Sequence, residues 1–217
     1  VSQPFDRSCT AEAPGELDND LEEFWVEDPW KINLSNNLSS YERNRFFLNG
    51  RGKEFYEISY LTGADSDGDG RAVVAADFKN NGQLDLVIRQ VGGGPLLIYE
   101  NGFEKGHYLK LSLNGVKSNR QGIGSRITAT VDGNRIVREM YPVNSFRSQM
   151  PNLIHLGLDG YDKVDELEIK WPSGDIESFR NISADQHIVI QEGRSEIQIV
   201  VPGNPFLPAI SSSQKTP

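Results

Sequence analysis

The sequence predicts an all-β protein in which an extended acidic N-terminal arm leads into a small first sheet and then a larger β-sandwich or barrel. Three observations carry that expectation. Apolar and polar residues alternate with period two through most of the chain from Arg45 onward, the pattern of half-buried strands. The 217 residues include 21 Gly and 11 Pro, a turn-rich composition that suits short strands and tight loops better than a helical bundle. Asp132-Gly133 and Pro172-Ser173-Gly174 each separate two alternating runs with residues suited to a hairpin turn.

The arm, residues 1–40, is set apart by charge. The chain carries 22 Lys and Arg against 31 Asp and Glu, a formal charge of −9. Residues 1–30 hold nine of those acids and only Arg7 as a base, so that segment carries −8 and the remainder −1. Leu17, Leu21, Phe24 and Trp25 fall at helical spacing, which suggests a short helix with Asp18 and Asp20 near its N-terminus. Two readings of Trp25 and Trp30 stand: the arm packs them onto its own body, or it presents them to a protein partner, since exposed tryptophans beside carboxylates mark a contact surface.

Strands are expected near 45–49, 54–60, 71–77, 84–90 and 95–99, forming a first domain over 41–105. A second set follows near 107–113, 124–131, 134–141, 153–157, 163–171, 176–180, 186–191 and 195–201, forming the domain 106–201. Gly102 to Gly106 marks the boundary. The Pro-rich segment 202–217 has no periodicity and reads as a loose strap or a disordered tail.

The most chemically pointed segment runs from Asp77 to Leu86, DFKNNGQLDL. In a calcium loop of the form D-x-[DN]-x-[DN]-G-x-x-D, alternate side-chain oxygens converge on the ion and glycine permits the bend. Asp77, Asn81 and Asp85 fit as ligands and Gly82 as the bend, but Lys79 puts an ammonium where a carboxylate belongs. The expected site is therefore weak or vestigial, with Lys79 either turned to solvent or folded inward in place of the ion. The acidic run Asp65 to Gly70 lacks a closing carboxylate at the ninth or twelfth place and reads as a Gly-rich turn.

Other chemistries find little support. No clustered basic run offers a nucleic-acid face, and no apolar stretch approaches the ~20 residues of a bilayer span. A single cysteine, Cys9, excludes an intrachain disulfide. His107, His155 and His187 stand singly in apolar strands, without the spacing of a zinc site or a paired carboxylate. No nucleophile elbow or phosphate loop is present, so no enzymatic activity and no catalytic residue are expected.

Two stretches resemble known families. The run NRFFLNGRGKEFYEISYLTGADSDGDGRAVVAADFKNNGQLDLVI, Asn44 to Ile88, resembles an FG-GAP or VCBS-type repeat, the blade unit of integrin-like β-propellers. Gly106 to Gly193 resembles the ASPIC/UnbV domain through LSLNGVKSNRQGIGSRITATV, HLGLDGYDKVDELEIKWPSG and the ADQ at 184–186. The resemblance implies a secreted or periplasmic protein similar to the cartilage acidic protein family and its bacterial relatives. It implies a single propeller-blade-like sheet followed by an ASPIC/UnbV-like β-sandwich, with calcium bound in the repeats. Proteins of this kind carry several blades, so the edges of a lone one need covering by the arm, the sandwich or another chain. Asn119, Arg120, Gly122 and Gly124 match the recurrent loop of the terminal module, with Arg120 expected to brace it and the glycines to supply positive φ.

The resulting expectation is a noncatalytic extracytoplasmic binding or accessory module making protein–protein contacts, with Trp25 and Trp30 at the contact, or a subunit of a larger assembly. The alternative is carbohydrate recognition by the sandwich, which requires Trp171, Tyr141 or Tyr161 exposed on one face.

Overall fold

The computed structural model describes residues 17–18, 23–24, 43–50, 52–66, 70–90, 96–143, 145–146 and 148–200. Trp25, Trp30, Cys9, the acids between 67 and 69, Gly92 to Gly94 and the tail 202–217 lie outside them. Within the arm, β1 (Leu17–Asp18) pairs antiparallel with β2 (Glu23–Phe24). The expected helix is thus replaced by a short ladder with Leu17 in register with Phe24 and Asp18 with Glu23. A helix of this length has too few internal hydrogen bonds to repay its nucleation, and four apolar residues at the right spacing do not change that.

Two compact units divide the remainder. The first comprises Val1–Val73 and Val87–Tyr99, the second Val74–Leu86 and Glu100–Pro217. β3 (Phe47–Asn49) pairs antiparallel with β4 (Phe55–Glu57), and α1 (Ser59–Thr62) follows directly. A strand was expected to continue to residue 60, but it stops at Glu57. The Glu57 carboxylate accepts the Ser59 N–H, the buried Ser59 hydroxyl accepts the Phe46 N–H, and Gly63 at φ 68° ends the helical turn. β5 (Gly70–Ala76), β6 (Asp85–Gln90) and β7 (Leu97–Tyr99) form a three-stranded sheet in that order, and the division between units falls inside β5 and β6.

The second unit contains the β-sandwich. Its strands are β8 (His107–Asn114), β9 (Arg126–Val131), β10 (Asn134–Glu139), β11 (Ile154–Asp159), β12 (Lys163–Lys170), β13 (Ile176–Ser183), β14 (Gln186–Gln191) and β15 (Ile197–Ile199). One sheet has the order β10-β9-β12-β13 and the other β11-β8-β14-β15, where β14 runs parallel to β8. The alternation places Leu109, Leu111 and Leu113 of β8, Ile127 and Ala129 of β9, Leu167 and Ile169 of β12, and Ile188 and Ile190 of β14 in one core. Trp171 closes that core and is 2% exposed, with its indole N–H donating to Glu177. As anticipated, Asp132 at φ 47° and Gly133 at φ 75° join β9 to β10, two consecutive positive φ values as a type I′ hairpin requires.

Period two also sets which residues of β8 face away from the core: Tyr108, Lys110 and Ser112 lie on the outer face of the β11-β8-β14 sheet. That outer face carries the candidate site.

Candidate functional site

Lys110 is directly opposite His155 of β11 and directly opposite His187 of β14, so the three form one row across three adjacent strands. Their alternation partners point into the core, which fixes the row on the outer face. The loop 77–85 contributes Asp77 to the same row. Lys110 Nζ lies 2.5 Å from Asp77 Oδ2, with the two side chains 7% and 3% exposed. Asp77 Oδ1 accepts the Asn81 N–H at 2.9 Å and Oδ2 accepts the Gly82 N–H at 2.7 Å. Burial works against ionisation of Asp77, but the ammonium and the two N–H groups outweigh it and hold the carboxyl below its ordinary value.

Gly82 does more than turn the chain. At φ 90° its α-carbon lies so close to the Tyr108 ring that a Cβ would sit 2.0 Å from it. Tyr108 in turn stacks on His155, ring centroids 5.9 Å apart at 9°, and the Lys110 ammonium lies 5.4 Å from the Tyr108 centroid. His155 Nε2 donates to the Gly82 carbonyl at 2.8 Å, leaving Nδ1 as a bare acceptor when the ring is neutral. Burial lowers the His155 pKa, and the Lys110 and Arg138 charges push the same way. Burial, then Lys110, lowers that of His187, whose Nε2 is 2.9 Å from Ser112 Oγ. Both imidazoles are therefore neutral near pH 7.

These groups line a cavity of about 710 Å³. Asp77, Asn80, Lys110, His155 and His187 form its polar side, and Ala75, Met140, Met150, Leu153 and Ile154 contribute an apolar side. Arg138, Glu139 and Tyr141, all exposed, form the rim.

The calcium expectation meets a specific obstacle in this geometry. Asp85 turns its carboxylate to the Asn101 N–H at 2.8 Å, and the Asn81 side-chain oxygen accepts the Gln83 N–H at 2.9 Å. Lys79 swings outward to pair with Glu100. The positive charge beside Asp77 belongs to Lys110 instead, and the oxygens of Asp77, Asn81 and Asp85 are each engaged in hydrogen bonds within the protein. Among the described residues no group of three or more His, Cys, Asp or Glu is placed to hold a metal.

The histidines are also less solitary than their sequence positions suggest. His107 Nδ1 lies 2.6 Å from Asp185 Oδ2, a carboxylate pairing that strand position alone did not reveal. No carboxylate hydrogen-bonds His187, so the Ser112–His187 contact lacks the orienting group of a nucleophilic triad among the described residues.

A second polar centre explains the recurrent loop. Glu192, 3% exposed, accepts the N–H groups of Val116, Lys117 and Ser118, each at 2.7 Å, and the hydroxyls of Ser118 and Ser173. Burial opposes ionisation, but these five donors outweigh it and lower the pKa to about 2. Asn119 clamps the same loop by donating to the Ile123 carbonyl and accepting the Ile123 N–H. Gly122 and Gly124 do take positive φ, 64° and 93°. Bracing, however, falls to Asn119. The Arg120 guanidinium makes no hydrogen bond or ion pair among the described residues, and Arg120 contributes its carbonyl to the Gly115 N–H.

Residues 115–197 match the ASPIC and UnbV family model. The Glu192 centre joins three segments of this ASPIC and UnbV domain, the loop 115–124, the Pro172-Ser173-Gly174 turn and the end of β14. No curated protein matches the chain. The domain's β8 lies just ahead of the match, so Lys110 and the three core leucines of that strand fall outside it.

The aromatic platform expected for carbohydrate binding does not assemble as drawn. Trp171 is buried, and the hydroxyl of Tyr161 donates to Asp132 at 2.9 Å. Tyr141 and Tyr161, 63% and 40% exposed, are the rings still presented to solvent, Tyr141 on the cavity rim. Among the described residues, no helix is long and apolar enough to cross a membrane.

Proposed function

We propose that the chain is a noncatalytic extracytoplasmic binding or accessory module that works through protein contacts within a larger assembly. The observation supporting this reading is the surface of the first unit. Phe47, Leu48, Phe55, Tyr56, Tyr60 and Leu61 are all exposed, the last two by 84% and 81%. Burying a large apolar side chain is worth about 1.5–3 kcal/mol, so six left in water by one hairpin and one helical turn form an interaction surface. A two-stranded hairpin is marginal alone and gains most from a protein that covers it.

The same proposal takes Asn44 to Ile88 as a repeat of FG-GAP or VCBS class whose exposed side chains pack against further β-structure. Its calcium loop is vestigial in this reading, with the Lys110 ammonium taking the cation's role beside Asp77. Calorimetric titration with Ca²⁺ tests that part: micromolar binding abolished by Asp85→Ala would refute it. The acidic arm steers the module toward a basic partner, and deletion of residues 1–30 should slow association at low salt.

The direct test is native mass spectrometry of the protein isolated from its source, alongside a Phe55→Lys, Tyr60→Lys double variant. A complex retained by the wild type and lost from the variant is the expected result. Equal recovery of the complex from both would remove this face from the account.

A further inference from the structure

We propose that the cavity of the second unit is a binding site for a hydroxylated monocarboxylate, the chemistry of a sugar acid or a small hydroxy acid. The proposal is independent of the exposed face of the first unit, because every lining residue belongs to the second.

The complementarity begins with Lys110. Its ammonium has three hydrogens, and among the described residues it meets only Asp77 Oδ2 and the face of Tyr108. A cation this deeply buried, with donors left over and a cavity beside it, is suited to an acceptor oxygen from a ligand. Arg138 supplies a second cation on the rim. Among the described residues its guanidinium donates only to the neighbouring Val137 carbonyl, which leaves its outer fork for a carboxylate. The two anions present are not equivalent competitors. Asp77 already accepts from Lys110 and two N–H groups, whereas Glu139 on the rim makes no hydrogen bond or ion pair among the described residues.

Glu139 narrows the ligand class. Two cations and two carboxylates line the cavity, so its formal charges cancel: a dianion such as a phosphate monoester would leave two uncompensated negative charges there, a single carboxylate only one. The remainder of the wall asks for more than an anion. His155 Nδ1 is a bare acceptor and calls for a hydroxyl donor. Met140, Met150 and Leu153, with Tyr141 at the mouth, suit the apolar faces of a ring or short carbon chain. A volume of about 710 Å³ leaves room for a monosaccharide.

The test follows the imidazole proton signals of the full chain by NMR while sodium glucuronate, sodium lactate, glucose or glucose 6-phosphate is added at constant ionic strength. There are three histidines, and His107 lies outside the cavity lining and serves as an internal control. Saturable shifts of His155 and His187 with glucuronate are expected at about 0.1–1 mM, with glucose and glucose 6-phosphate weaker by about tenfold or more. Tighter binding of glucuronate than lactate identifies a sugar acid, and equal binding identifies a small free hydroxy acid. Because Lys110→Met leaves Asp77 buried and unpaired, the variant of choice is Arg138→Gln, on an exposed residue, which should weaken binding about tenfold. No saturable shift with either carboxylate, glucose binding as tightly as glucuronate, or Arg138→Gln binding like the wild type would each overturn the proposal.

Discussion

Asp77 and Lys110 form a buried ion pair in which each charge depends on the other. Removing one partner strands a charge with its side chain almost fully enclosed, so Asp77→Ala or Lys110→Met should cost about 3–5 kcal/mol, measured by chemical denaturation. Replacing both at once should recover a substantial part of that loss. Glu192 is the second residue on which the domain depends. Glu192→Ala leaves three backbone N–H groups without their acceptor and should destabilise on the order of 3 kcal/mol. Its lowered pKa also sets a pH dependence. The carboxylate's stabilisation is fully present above the ordinary value near 4.5 and is lost as pH falls toward about 2, so Glu192→Gln should flatten the acid limb of the unfolding curve. His155 and His187 act higher on the scale. Both are held neutral by burial, so the unfolded chain binds more protons below about 6.5 and stability falls as pH drops through that range. That Asp77 belongs to a polar loop was legible from spacing, but which way Lys79 turns was not: it pairs outward with Glu100. Nor was the cation that faces Asp77, because Lys110 belongs to a distant strand and looks like an ordinary solvent-facing residue of an alternating run.

Strand alternation was the most readable feature of the chain, because a sheet with one face on a core must repeat every two residues. It fails at identifiable places. β12 and β13 change phase together at Asp165 and Asn181, so that Val164 and Leu167, or Ile182 and Phe179, share the core despite odd spacing, with Asn181 at φ 53°. At Ser59 a local side-chain network ends β4 and starts α1, which apolar pattern alone cannot foresee. The row His155, Lys110, His187 depends on β8 accepting β11 on one side and a parallel β14 on the other. Pairing order of that kind is a property of the sheet and leaves no local mark in any one strand. Gly122 makes a sharper prediction at this scale. A Cβ there would lie 2.7 Å from Leu113 Cβ at φ 64°, so Gly122→Ala should destabilise by about 2 kcal/mol or more, whereas Ala at Gly157, which has open space and no positive φ, should be nearly neutral.

At the scale of the molecule, the sandwich is larger than the segment matched by the ASPIC and UnbV family model. The match begins at 115, yet β8 fills the core with Leu109, Leu111 and Leu113, and the loop 77–85 supplies the counter-charge for Lys110. A fragment of residues 115–197 should therefore fail to show a cooperative thermal transition by circular dichroism, whereas residues 70–217 should retain one. The first unit presents the opposite case: its hairpin and short helix expose apolar side chains that the sandwich would have buried. Protein contact through that face is the claim on which the functional account turns. Hydrogen exchange measured by mass spectrometry, on the isolated chain and on the assembly purified from its source, addresses it directly. The account predicts slower exchange over residues 47–62 in the assembly, with the sandwich core unchanged. Identical exchange over that segment in the two samples would contradict it.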